Sequence, residues 1–145
     1  MKITTKLFNE LTLYELIALL QLRAAVFVVE QNCVYQDIDG KDNIATHILG
    51  YDGHELTAYT RVFKPGDYMD YASIGRVVVP ADHRRKDYGK EIMQASIAYC
   101  KAQGYEVIKI SAQCYLDRFY TDLGFKTTGE QYLEDGIPHQ AMVLV

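Results

Sequence analysis

The chain has 145 residues, 49% hydrophobic and 23% charged, with a formal net charge of −4. That length and composition suit one globular domain, residues 1–145, with a real core. The acidic balance argues against a nucleic-acid binder, which carries a basic excess as a rule.

Three cysteines, Cys33, Cys100 and Cys114, form no C-x-x-C pair. A disulfide scaffold and a zinc site are therefore not expected, and reduced thiols in the cytoplasm are. No long apolar run marks a signal peptide or a membrane span.

Leu13, Leu16, Ile17, Leu20, Ala24 and Phe27 recur at helical spacing, with Thr12 and Glu15 placed as a capping box. This predicts an amphipathic helix over residues 12–29 whose stripe is buried. Its β-branched end, Val26 to Val29, either packs deeply or leaves helical geometry. Residues 31–43 are polar and read as a surface loop. Its three aspartates, Asp37, Asp39 and Asp42, suit a cationic substrate or are simply solvated. They lack the ligand pattern of a calcium loop.

Strands are expected at 45–51 and 55–63, and again at 72–79, ended by Pro80. The run Val77-Val78-Val79 does not alternate, which predicts a strand covered on both faces. A second helix, 88–102, has the stripe Ile92, Met93, Ser96, Ile97 and Cys100, and Gly104 supplies its left-handed end. A strand at 107–112, a short helix at 115–123 and two strands around the turn 134–138 complete an α/β chain with a single sheet.

The chemistry concentrates where residues 77–79 run through a basic turn into the second helix. Arg84, Arg85, Lys86 and Lys90 surround a helix N-terminus, and Gly89 permits close backbone approach. Unpaired N–H groups and the helix dipole suit a phosphate or pyrophosphate there. A solvated turn capped by Asp87 is the alternative on local composition.

This turn resembles the acetyl-coenzyme A loop of the GNAT superfamily of N-acetyltransferases, R/Q-x-x-G-x-G/A. Arg84 fills its first position and Gly89 its last. Asp87 replaces the inner glycine, and Arg85 stands where another is common. Gln113 takes the place of the usual Asn. Phe119-Tyr120 followed by Leu123-Gly124-Phe125 is similar to the aromatic pair and closing Gly-Phe of the family. The segments 21–31, 35–40, 74–77 and 134–139 resemble the ElaA-like branch, and the resemblance covers nearly the whole chain.

The resemblance implies an acyl-CoA N-acyltransferase fold, with a mixed, mostly antiparallel central sheet, flanking helices and splayed central strands. It implies acetyl-CoA as cosubstrate, no metal, and direct attack by an amine in a ternary complex. Val77, Val78 and Val79 would pair with pantetheine, as in strand addition. The loop Arg84 to Lys90 (with Arg85, Lys86, Asp87, Tyr88 and Gly89), Gln113 and Phe119 would complete the cofactor site. Tyr120 is the candidate general acid. An alkylammonium, with a pKa of roughly 10, needs a base or a water chain. Glu30, His47, Glu134, Asp135 and His139 all remain candidates, with Glu30 and His139 carried forward.

The expected partner is a small-molecule or peptide amine, with no nucleic acid and no membrane; a homodimer is admissible. Three other readings stay open: a covalent acyl-Cys114 route, a non-catalytic acyl-CoA sensor, and an acyltransferase using another acyl chain.

Overall fold

A computed structural model describes all residues, 1–145. Seven strands form one sheet in the order β1-β2-β3-β4-β5-β7-β6. They are β1 (Lys2–Leu7), β2 (Thr46–Asp52), β3 (Glu55–Phe63), β4 (Ala72–Val78), β5 (Ile108–Gln113), β6 (Lys126–Glu134) and β7 (Ile137–Leu144). All neighbours are antiparallel except β4 and β5. The helices are α1 (Leu13–Arg23), α2 (Tyr88–Ala102) and α3 (Asp117–Asp122). No helix is long and apolar enough to cross a membrane.

Successive side chains of a strand face opposite sides, and the two halves of the core follow from this. Ile48 and Ala58 pack with Ile92 and Met93 of α2 and with Tyr120 and Phe125. Their neighbours Leu49 and Tyr59 pack on the other face with Leu19 and Leu22 of α1. β3 is buried along nearly its whole length, so its polar residues need partners. Ser96 donates to the Ile92 carbonyl at 2.7 Å, which leaves the Thr60 hydroxyl to donate to Ser96 at 2.6 Å.

Thr12 and Glu15 form the expected capping box. The buried stripe of α1 is not the expected one. Leu13 and Ile17 are 80% and 63% exposed, whereas Leu19, Leu22, Arg23 and Val26 are buried. Apolar residues lie almost all round this helix, so periodicity alone does not choose its face. The β-branched stretch does leave α-helical geometry: Ala24–Glu30 widens into a π-helix. β1 carries no strong alternation in its sequence and was not among the expected strands.

The loop 35–43 is a correction to the picture of a solvated surface segment. Asp37 bridges Arg23 Nε and Arg76 Nε, both at 2.7 Å. Asp42 Oδ1 accepts from Arg23 at 2.6 Å and Arg61 at 3.0 Å. Asp39 takes Arg61 through two bonds, 2.9 and 2.8 Å. Three guanidiniums and three carboxylates therefore form a balanced, largely buried cage. Its hydrogen bonds hold Asp39 and Asp42 below the ordinary carboxylate range, although burial itself pushes them up.

Candidate active site

β4 and β5 pair only at Ala72↔Ile108 and Ser73↔Lys109, and then part. Between the pairs Arg61↔Gly75 and Tyr59↔Val78, β4 has two residues, Arg76 and Val77, opposite the single Thr60 of β3. This is a β-bulge, which bends a strand and re-aims its groups. Arg76 sits in it at φ 50°, and its side chain is held by Asp37. The gap opens into a cleft of about 720 Å³. Val78 is buried, while Val77 and Val79 are half-exposed along the cleft rather than covered on both faces.

The turn leading to α2 forms the basic end of the cleft. Arg85 and Asp87 adopt left-handed backbone, at φ 67° and 61°. These are two of the positions where glycine is common in the loop that this turn resembles. The chain thus takes a glycine-like path with side-chain-bearing residues, at a cost of the order of 1 kcal/mol or more each. Asp87 tolerates this conformation better than Arg85. Asp87 is the N-cap of α2, yet its side chain caps nothing, so the first-turn N–H groups keep their anion-binding capacity. A methyl group added at Gly89 would sit 3.5 Å from the Phe119 ring, an ordinary contact.

Arg84, Arg85, Asp87, Tyr88, Gly89, Lys90, Gln113 and Phe119 all line the cleft. Lys86 does not. Its ammonium lies 3.2 Å from His83 Nδ1 and over the Tyr88 ring. Arg84 makes a bidentate pair with Glu30, at 2.5 and 2.9 Å.

Tyr120, Glu30 and His139 line the same cleft. Tyr120 is 6% exposed, wedged edge-on between Phe119 and Phe125. Burial pushes its hydroxyl well above the usual tyrosine range, so it is protonated at neutral pH. His139 lies opposite Gln113 on β5 and Tyr132 on β6. Its Nδ1–H donates to the Ile137 carbonyl at 2.7 Å, and Nε2 lies 3.2 Å from Glu134 Oε2. The carbonyl can only accept, so it fixes the Nδ1–H tautomer. On a neutral ring Nε2 then carries the free lone pair, turned toward the Glu134 carboxylate.

His47 is different. Its Nε2–H donates to the Asp42 carbonyl at 2.9 Å and its Nδ1 accepts from Tyr59 at 2.6 Å. Burial lowers its pKa, and both nitrogens are committed, so it is a structural histidine. Cys114 is not among the lining residues; Cys33 is, with its thiol 3.3 Å from the Asp135 carbonyl.

Sequence reasoning did not single out Gln31, Tyr35 or Arg76 as residues of the cleft, where the structure places them. Arg76 lay in a segment that carried the resemblance, but nothing local signals its left-handed backbone.

A family model described as an acetyltransferase (GNAT) domain matches residues 15–145. The protein ElaA of Escherichia coli strain K12 is 44% identical over 137 residues, covering 92% of this chain and 90% of that one. The crystal structure of Escherichia coli ElaA superposes with a TM-score of 0.93 at 40% identity, with both chains fully covered. An acyl-CoA N-acyltransferase from Pseudomonas aeruginosa gives a TM-score of 0.93 at 37% identity, again over both whole chains.

Proposed function

The chain belongs to the GNAT acetyltransferase family, and from that premise we propose that it transfers an acetyl group from acetyl-CoA to the amine of an acceptor by direct attack. The observation that carries this reading is the parting of β4 from β5 above an uncapped helix N-terminus. The free edge of β4 offers backbone donors and acceptors to the two amides of a pantetheine arm. The α2 N-terminus, Arg84, Arg85 and Lys90 suit the pyrophosphate.

At the reacting end, a backbone N–H in the bulge, at Val77 or Val78, would bond the thioester oxygen as negative charge grows on it. Tyr120 would donate its proton to the departing thiolate sulfur. His139 Nε2 would accept the proton that the acceptor nitrogen loses, with Nδ1–H held by Ile137. Cys114, away from the cleft lining, has no part in this scheme.

The test is a panel of amines, peptides and polyamines with acetyl-CoA, followed by thiol release. Acetyl-CoA should also raise the melting temperature, because a ligand selective for the folded state stabilises it. Cofactor binding with no turnover across the panel would favour an acyl-CoA sensor. No melting shift at millimolar acetyl-CoA would overturn the reading.

A further inference from the structure

Arg84 and Glu30 meet across the cleft from separate walls. Arg84 belongs to the turn before α2, and Glu30 ends the π-helical extension of α1. Both terminal nitrogens of Arg84 bond the Glu30 carboxylate, and its Nε donates to the Val79 carbonyl at 3.1 Å. Each guanidinium nitrogen thus has a partner, and Nε also occupies a backbone acceptor just beyond the open edge of β4.

This pair differs from the other ion pairs of the cleft wall. Arg76–Asp37 is sunk into the cage, with Asp37 6% exposed. Glu134 faces His139. The Arg84 and Glu30 side chains are 41% and 40% exposed. Such a wet pair is weakly bound and readily exchanged. A pyrophosphate presents more charge and more acceptor oxygens to a guanidinium fork than one carboxylate does.

Building on the acyltransferase reading, we propose that Glu30 is the anionic subsite for the acceptor's ammonium group, and that Arg84 masks it until the pyrophosphate of acyl-CoA draws the guanidinium away. Without cofactor, an amine meets a neutralised pair. With cofactor, it meets a bare carboxylate in the cleft that holds Tyr120 and His139. Cofactor and amine then favour each other's binding by the same factor, as linkage requires.

The experiment is calorimetric titration of the full chain with coenzyme A, pantetheine and 1,4-diaminobutane, the last as an ammonium probe. Glu30→Gln should bind coenzyme A about two- to fivefold tighter, the scale of an exposed ion pair. Its affinity for pantetheine, which lacks the pyrophosphate, should not change. The diamine should bind the wild-type coenzyme A complex at least threefold tighter than the free protein. That gain should vanish in Glu30→Gln, persist in part in Glu30→Asp, and persist fully in Asp135→Asn, the control at the cleft's other anionic rim.

Equal or weaker coenzyme A binding by Glu30→Gln would overturn the proposal. So would diamine affinity that ignores coenzyme A, undetectable binding included, or coupling lost through Asp135. If coenzyme A binds and Glu30→Gln has no effect, only this inference falls. If wild-type protein does not bind coenzyme A at millimolar concentration, the acyltransferase reading falls and takes this one with it.

Discussion

Replacing Arg23 with methionine tests the charged cage directly. Arg23 is fully buried and donates to Asp37 Oδ2 at 2.7 Å, Asp42 Oδ1 at 2.6 Å and the Asp37 carbonyl at 3.1 Å. Methionine roughly matches the stem but leaves one net negative charge in the cage. Breaking a buried ion pair from one side costs about 3–5 kcal/mol. The low end applies here, because Asp37 keeps Arg76 and Asp42 keeps Arg61. For a chain of this size, about 3 kcal/mol corresponds to a fall in melting temperature of roughly 10 °C. Thermal melts followed by circular dichroism, with urea titrations beside them, would measure it. A fall of less than about 3 °C, with an unchanged urea midpoint, would refute the idea that the cage stabilises the fold. Replacement of both sides by apolar residues would then be the natural comparison, since buried ion pairs often tolerate it.

Tyr120→Phe keeps the ring against Phe119 and Phe125 and removes only the hydroxyl, so turnover should fall about 10²–10⁴-fold while coenzyme A affinity holds. Unchanged turnover by well-folded Tyr120→Phe would remove it as the acid. Asp87→Gly frees a left-handed position and removes a carboxylate from the cleft rim; coenzyme A titration should show equal or tighter binding, with stability changed by less than about 1 kcal/mol. Gly89→Ala should not lower the melting temperature, because the new methyl makes only ordinary contact with Phe119, so a fall in coenzyme A affinity in that variant would report the close backbone approach that glycine permits. The depressed carboxyls of Asp39 and Asp42 contribute stability that is fully present above the unfolded value near pH 4 and lost as pH falls through their lower folded values. Urea midpoints measured between pH 6 and pH 2 should therefore drop below about pH 4, and less so in Arg23→Met.

Local signals in the sequence marked out the elements that carry their own patterns. β3 and α2 begin and end where alternation, stripe and glycine place them. The basic turn was legible because a strand, four cations and a glycine lie within a few residues. The cage was not, because its ion pairs join residues 14 to 39 positions apart, and no local pattern tells a buried aspartate from a solvated one. The face of α1 was misjudged for a related reason: Arg23 is buried by partners that only the folded loop supplies. Likewise, the residue types at 84 and 30 suggested separate roles, one in cofactor binding and the other as a general base. Only the fold reveals that they hold each other.

The two-pair junction of β4 with β5 also has a mechanical meaning. Four strands lie on one side of it and three on the other. Backbone bonding is dense within each group and sparse across the seam. Amide hydrogens along residues 76–79 and 110–113 border that seam, so their exchange with solvent reports how tightly the two groups are joined. A strand-like ligand lying in the gap would act as a splint. It would slow exchange on both flanks together and stiffen the joint between the two groups of strands.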